Sequence, residues 1–206
     1  YLKYSFPVIC SDVLLAIGNS MVSIIIGHIS TEFVAANAII STIVRLSTVF
    51  TQGLGQASST ITGNTLGEGD REKTYRQGVT MVTLSVFIGI LAGGIILALA
   101  PWIIDMYDIT DVTRSVAWEL MYAVAIMVVF QSMQSVLTKG ILRGGGDTKF
   151  CMFADAAFLW IVSIPVGALC GLVLHTDPFV IYIALKLDWA IKSIVCLWRV
   201  KSRKWM

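Results

Sequence analysis

Several ionisable side chains lie within long apolar stretches of the sequence, and four of them are Asp12, Asp155, Asp188 and Lys192. A charge removed from water is costly unless it is paired and hydrogen-bonded, so each of the four is a candidate for a binding or ion-transfer role. Asp188 and Lys192 are four residues apart, so on a helix they share one face and can form an ion pair. Such a pair fits a structural role in helix packing as well as a place in a transport pathway.

Asp12 and Asp155 stand near the beginnings of their apolar stretches, and two interpretations are open for each. Asp12 is either a functional acid or an acid at a membrane interface that pairs with Lys3 or with an arginine of another helix. Asp155 either faces a central cavity or caps the start of its own helix. Arg45 lies deeper in the second apolar stretch and could pair with Asp12 or with Glu119.

Uncharged amides also occur within the apolar stretches. Buried amides must find hydrogen-bond partners, and most of these are expected to bond between helices. Gln131 and Gln134 are about one helical turn apart, so this pair could line a cavity. The candidate residues for ion coupling or substrate binding are therefore Asp12, Asp155, Asp188, Lys192, Gln131 and Gln134.

The elements that must position these side chains are segments long enough to cross a bilayer. The 206-residue chain is 56% hydrophobic and 14% charged, with a mean hydropathy of +0.80, whereas soluble domains carry about 25% charged residues. A spanning helix needs about 20 largely apolar residues. Six segments meet or approach this length: 5–29, 34–66, 78–104, 115–138, 150–174 and 179–198. The sequence therefore predicts an all-α membrane protein whose residues 1–206 form one domain of six transmembrane helices.

The charges between these segments differ in sign from one predicted side of the membrane to the other. One side has eleven basic residues, namely Lys3, Arg71, Lys73, Arg76, Lys139, Arg143, Lys149, Arg199, Lys201, Arg203 and Lys204. The other side has Arg114 together with Glu32, Asp105, Asp108, Asp111 and Asp177. Basic loops are retained in the cytoplasm. Both termini and the two basic loops are therefore predicted to be cytoplasmic.

The two basic loops are similar to each other, since both are glycine-rich and then acidic. Their motif residues are Gly67, Gly69 and Asp70 in the first loop, and Arg143, Gly144, Gly146 and Asp147 in the second. Glycine permits tight turns with positive φ, and an aspartate after the turn can cap the next helix. Neither loop contains a phosphate-binding signature. The expected role of both loops is to connect two helices.

Four stretches resemble the C-terminal six helices of the MATE (multidrug and toxic compound extrusion) transporters. They are Phe6-Pro7 with Asp12 five residues later, the run from Gly53-x-Gly55 to Gly67-x-Gly69-Asp70, the loop Leu142-Arg143-Gly144-x-Gly146-Asp147-Thr148-Lys149, and the end from Asp188 through Lys192 to Trp205. The third stretch is the most specific, because an L-R-G-x-G-D-T-[KR] loop between two spans is typical of that family.

The resemblance implies that the six helices form one lobe of a twelve-helix antiporter whose N-terminal lobe is missing from this sequence. Such transporters export organic cations in exchange for H⁺ or Na⁺ by alternating access. In related transporters an acidic residue stands at the position of Asp12, where it would bind the coupling proton or Na⁺. No cofactor other than the coupling ion and no structural metal is implied. The implied partners are the lipid bilayer, the missing lobe and small organic cations, with no nucleic acid, in a multi-pass protein of the bacterial plasma membrane.

Two rival functions have less support in the sequence. An intramembrane serine hydrolase would need a G-x-S-x-G elbow with a partner histidine, and neither His28 nor His175 has such a motif nearby. The metalloprotease motif H-E-x-x-H does not occur either. The protein is therefore predicted not to be an enzyme. A six-helix membrane assembly module without transport activity remains the alternative, and Tyr1 in place of an initiator methionine favours a fragment of a longer protein.

Overall fold

The structure is a computed structural model that describes residues 2–107, 109–174, 176–203 and 205, without the side chains of residues 2–5, 7, 46 and 47. Some residues of the sequence interpretation lie outside this description. They are the side chain of Lys3 and the residues Asp108, His175 and Lys204. The predicted contact between Asp12 and Lys3 therefore falls outside the described residues.

The described residues form helices and contain no β-strand. The first helices are α1 (Leu2–Ile29), α2 (Thr31–Gly67), α3 (Arg71–Met106) and α4 (Asp111–Ser135), and α4 continues as a π-helix, π1 (Val136–Leu142). The next segment alternates between two helix types, as α5 (Thr148–Ala157), π2 (Phe158–Ser163), α6 (Ile164–Ala168) and π3 (Leu169–Val173). The last two helices are α7 (Pro178–Leu185) and α8 (Leu187–Lys201).

Helices α2 and α3 begin before their apolar segments because polar residues cap their first turns. Helix α2 begins at Thr31 rather than at residue 34, and the Ser30 hydroxyl accepts a hydrogen bond of 3.1 Å from the backbone N–H of Phe33. Helix α3 begins at Arg71 rather than at residue 78, and the Asp70 carboxylate accepts a bond of 2.9 Å from the backbone N–H of Lys73. Hydropathy detects the apolar middle of a helix and not the polar turns at its ends.

The segment predicted as one helix over residues 179–198 is broken at Lys186, where φ is −114° and ψ is 11°. The backbone N–H of Asp188 donates to the Ser163 hydroxyl at 2.8 Å instead of to a carbonyl of its own helix. This bond satisfies a backbone group that the break would otherwise leave unpaired. Because Ser163 belongs to π2, the break also ties the last two helices to the fifth segment.

Four helical stretches are long and apolar enough to cross a membrane: Val8–Ile29, Arg71–Met106, Asp111–Leu142 and Thr148–Val173. The two parts of α2, Thr31–Arg45 and Thr48–Gly67, pass the same test together and meet at a bend of 44°. The hydroxyls of Thr48 and Thr51 each donate to a carbonyl three residues earlier, at 2.9 Å in both cases, and such bonds bend helices. By length and composition the described residues thus supply up to five spans, since α7 and α8 are each shorter than 18 residues.

Two buried apolar clusters hold the helices together. The larger cluster includes Phe33 of α2, Ile96 of α3 and Leu120 of α4 and extends to α1 and α7. The smaller cluster includes Leu142 of π1 and Cys196 of α8. Contact between α3 and α4 is close at Gly93, where a Cβ atom would lie 2.7 Å from the carbonyl oxygen of Ala125. Small residues allow helix backbones to approach in this way within a membrane.

Candidate functional site

Asp155, two turns into α5, is the centre of a polar cluster inside the helical bundle. Its side chain is 2% exposed. One carboxylate oxygen, Oδ2, accepts hydrogen bonds from the Ser11 hydroxyl at 2.9 Å and from Arg143 Nη2 at 3.3 Å. The other oxygen, Oδ1, accepts a bond from Lys192 Nζ at 3.0 Å. The carboxylate therefore contacts three other parts of the chain rather than capping the start of its own helix.

Lys192 bridges two buried carboxylates. Its side chain is 2% exposed, and its ammonium lies 3.0 Å from Asp155 and 3.4 Å from Asp188. The ion pair predicted from the four-residue spacing of Asp188 and Lys192 is thus present. Asp188 also accepts a hydrogen bond of 3.1 Å from the Ser163 hydroxyl. Each of these buried charges has an opposite charge beside it, which is the condition under which charges persist in an apolar interior.

Arg143 extends the cluster to α1. Its Nη2 atom lies 3.1 Å from Asp12 and 3.2 Å from the Ser11 hydroxyl, and its side chain is 15% exposed. The positive-inside pattern assigned Arg143 to a cytoplasmic loop, but its side chain turns inward to α1 and α5. The carboxylate of Asp12 is 57% exposed, which makes it the accessible end of the cluster. For an interfacial Asp12 the sequence predicts Lys3 or an arginine of another helix as the partner, and the structure has Arg143 in that place.

Two glycines determine where the segment that carries Arg143 lies. A Cβ atom at Gly140 would be 2.8 Å from Ser58, and one at Gly144 would be 2.8 Å from the carbonyl oxygen of Ser59. Both contacts are with α2, so the backbone of π1 and of the residues directly after it packs against that helix. Because no side chain separates the two backbones, the guanidinium between these glycines extends toward α1 and α5.

The five charged residues form what we call the charge network: Asp12, Arg143, Asp155, Lys192 and Asp188. Three carboxylates and two cations leave it with a formal charge of −1 when all five are ionised. One proton or one monovalent cation would neutralise it. Of the three carboxylates, that of Asp12 is the exposed one, at 57% of its side-chain surface.

A separate cleft of about 320 Å³ opens between α1, α2, α4 and the α7–α8 junction. Its polar lining includes Asn19, Asn37, Arg45, Gln131 and Lys186, and Trp189 forms part of its wall. The Oε1 atom of Gln131 is buried and has no hydrogen-bond partner among the described residues. Gln134 is placed differently, since its Nε2 donates to the Thr138 hydroxyl of the same helical segment at 3.0 Å. The structure brings Gln131 to the cleft and leaves Gln134 outside its lining.

The two motif loops use their aspartates in different ways. Asp70 follows Gly69, whose φ is +85°, and caps α3 as predicted. Asp147 follows Gly146, whose φ is +89°, but its side chain makes no capping bond to α5. Asp147 thus occupies the N-cap position of α5 as predicted, but its carboxylate is engaged by Arg199 Nε at 2.8 Å instead of by a backbone N–H of the first turn. The second loop therefore ties the start of α5 to α8.

The remaining sequence candidates are dispersed. Gly67 is the last residue of α2, and Gly144 lies directly before the second turn. Neither glycine has a side chain that could join the charge network. Arg45 forms an ion pair with neither Asp12 nor Glu119 in the described part of the chain. Within that same part, no group of three or more His, Cys, Asp or Glu side chains is arranged to hold a metal ion. Binding of Na⁺ at Asp12 stays a prediction.

Residues 7–169 match the family model MatE. This chain belongs to the MATE family. MATE proteins are integral membrane transporters, so the interpretation as an intramembrane enzyme does not apply. Among curated relatives, the chain is 29% identical over 185 residues to a probable multidrug resistance protein NorM of Mesorhizobium japonicum, covering 86% of this chain and 39% of that protein. It is 26% identical over 164 residues to Protein DETOXIFICATION 18 of Arabidopsis thaliana, covering 78% of this chain and 34% of that protein.

Solved MATE structures have the same fold. A crystal structure of a MATE protein in complex with MaD5 superposes with a TM-score of 0.87 at 18% identity, covering 96% of this chain and 44% of the other. A MOP-superfamily transporter from Pyrococcus furiosus, described as having a binding pocket of reverse polarity, superposes with a TM-score of 0.80 at 19% identity, over 98% of this chain and 45% of the other. The chain thus spans less than half the length of these MATE proteins and of the curated relatives.

Proposed function

We propose that this chain forms a six-helix half of a secondary antiporter that exports small organic compounds in exchange for H⁺ or Na⁺. The observation that carries the proposal is the charge network, which has a formal charge of −1 and ends at the exposed carboxylate of Asp12. The efflux activity is inferred from the MATE relatives, because the curated ones are named as multidrug resistance and detoxification proteins.

Coupling follows from competition at Asp12. A proton or Na⁺ on this carboxylate weakens its attraction to Arg143, and the guanidinium then interacts more strongly with Asp155. Because Asp12 lies on α1 and Asp155 on α5, the change alters how these two segments are held together. A cation that binds one arrangement better than another shifts the population between them. By linkage, the same coupling changes the affinity for the exported compound.

The cleft is the proposed half of the transport cavity. Asn19 in its wall stands seven residues after Asp12 on α1, which is two turns along the same face, or about 10 Å. A cationic group of a compound bound in the cleft would therefore lie about two helical turns from the Asp12 carboxylate.

The sixth span is proposed from burial rather than from hydropathy. The segment of α7 and α8 carries Asp188 and Lys192, which lower its hydropathy, but both side chains are buried against other helices. Its charges are therefore internal, and its remaining surface can face lipid. With six spans, the loop charges support a cytoplasmic location of both termini. The bacterial relatives support a bacterial plasma membrane, and their greater length supports a second lobe facing the open side of the cleft.

The proposal is tested by efflux of a fluorescent organic cation from cells that express the full-length polypeptide. Asp12→Asn is compared with Glu68→Gln, which makes the same change at an exposed carboxylate beside Lys73. We expect Asp12→Asn to lower the efflux rate by about tenfold or more, in the range of typical coupling between sites, and Glu68→Gln to leave it unchanged. Equal efflux by wild type and Asp12→Asn, at equal abundance in the membrane, would contradict the role of Asp12. No efflux by the wild type would contradict transport of organic cations.

A further inference from the structure

The charged residues that line the cleft are both cations. Arg45 comes from α2, and Lys186 stands at the break between α7 and α8. The other described lining residues are amides, hydroxyls, aliphatic side chains and two aromatic rings, and none of them is a carboxylate. The cleft is therefore opposite in sign to the charge network, although both lie in the same half of the transporter.

Neither cation forms an ion pair in the part of the chain that the structure describes. The ion pairs found there do not include Arg45 or Lys186. Asp188, two residues after Lys186 in sequence, attracts the Lys186 ammonium but is itself engaged by Lys192 and by the Ser163 hydroxyl. Lys186 Nζ instead lies 5.0 Å above the ring of Trp189.

Two like charges beside one cleft in a low-dielectric environment are unfavourable unless an opposite charge joins them. A guanidinium offers two parallel N–H donors that match a carboxylate or a phosphate, and an ammonium offers three further donors. The amides of Asn19, Asn37 and Gln131 line the same space and can complete the hydrogen bonding of a bound anionic group. The volume of about 320 Å³ is within the range of small-molecule sites.

We propose that this cleft binds an anionic group, a carboxylate or a phosphate, of the exported compound through Arg45 and Lys186. This deepens the proposed function, because it rests on the cleft being part of the transport pathway. The compound is then an organic anion or a zwitterion and not a simple cation. A zwitterion places its cationic group toward Asp12, two turns along α1, while its anionic group meets the two basic residues.

Binding of matched probes to the purified full-length protein tests the proposal. Three probes share one fluorophore and differ in a single substituent, which is a carboxylate, its neutral methyl ester or a quaternary ammonium group. The variants are Arg45→Gln and Lys186→Gln. Arg76→Gln, at an exposed arginine of α3, is the matched control. A thermal melting curve for each variant identifies loss of folding, and Arg45→Lys keeps the charge if Arg45→Gln does not fold.

We expect the wild type to bind the carboxylate probe about tenfold more tightly than the ester, as one charge-assisted hydrogen-bonded pair allows. Each cleft variant should remove this preference, and Arg76→Gln should keep it. Equal binding of the anionic probe and the ester, or a preference that survives both cleft substitutions, would overturn the proposal. Tightest binding of the ammonium probe would also overturn it, since carboxylates elsewhere in the protein would then set the polarity.

The two proposals fail in distinguishable ways. If Asp12 is required for efflux but the probes bind without regard to charge, the antiporter function stands and the anionic site is rejected. If the carboxylate probe binds in an Arg45-dependent manner but no gradient of H⁺ or Na⁺ drives its efflux, the site stands and the antiporter function is rejected.

Discussion

Lys192 of α8 and Asp155 of α5 meet inside the bundle, where Nζ and Oδ1 are 3.0 Å apart and each side chain is 2% exposed. The same ammonium also contacts Asp188, so one cation of α8 lies between two buried acids, and Asp155 has Arg143 as a second cationic partner. Removal of the ammonium would leave Asp188 without an ion-pair partner among the described residues and Asp155 with Arg143 alone, which is costly in an apolar interior.

Lys192→Met should therefore destabilise the folded protein by about 3–5 kcal/mol, as is typical when one partner of a buried ion pair is removed. The double variant Asp155→Asn with Lys192→Met should recover part of the loss, because it also removes one of the two acids that Lys192 contacts. Lys201→Met, at an exposed lysine of the same helix, is the control. Thermal melting in detergent measures all three. A single variant that melts like the wild type would show that Lys192 does not neutralise this cluster.

Arg143 should be required for transport although its sequence motif lies in a connecting loop. Arg143→Gln leaves Asp12 and Asp155 without their shared cation and changes the formal charge of the network from −1 to −2. We expect efflux to fall by about tenfold or more, within typical coupling between sites, and Arg143→Lys to retain more activity than Arg143→Gln because it keeps the charge. Arg76→Gln should leave efflux unchanged. Equal loss in Arg143→Lys and Arg143→Gln would indicate that geometry rather than charge is decisive.

Gly93 lies where α3 packs closely against α4, and the neighbouring Gly94 provides a control for its substitution. Gly93→Ala would place a methyl group 2.7 Å from the carbonyl oxygen of Ala125, so the helices must separate, at a cost of about 1–3 kcal/mol. At Gly94 no heavy atom lies within 4 Å of the added carbon. Gly94→Ala should therefore be neutral or slightly stabilising, since alanine favours helices. Melting temperatures in one detergent distinguish the two. A lower melting temperature for Gly94→Ala than for Gly93→Ala would contradict the packing.

Local spacing made part of this arrangement predictable. The Asp188–Lys192 pair follows from helix geometry alone, because residues four apart share a face. The Asp70 cap follows from its place before a helix. The contacts of Asp155 with Lys192, Arg143 and Ser11 do not follow from spacing. They depend on how α5, α8 and π1 are rotated about their axes, and apolar segments of similar hydropathy give no indication of that rotation.

The side chains of Arg143 and Asp147 make contacts that simple sequence rules do not predict. Arg143 conforms to the positive-inside pattern, yet Gly140 and Gly144 bring its backbone so close to α2 that the side chain extends inward. Asp147 occupies a capping position, yet the guanidinium of Arg199 competes for its carboxylate with a charge-assisted bond. In both cases a contact with a residue distant in sequence, and not the local motif, determines where the side chain lies.

Ion coupling through Asp12 is tested most directly in vesicles that contain the purified full-length protein. Accumulation of the exported compound against an imposed gradient of H⁺ or Na⁺ is measured beside exchange of labelled for unlabelled compound without any gradient. We expect Asp12→Asn to lose gradient-driven accumulation and to keep exchange, because the substrate path remains while the site of the coupling charge is gone. If Asp12→Asn accumulates the compound as the wild type does under both gradients, the coupling charge does not enter through Asp12.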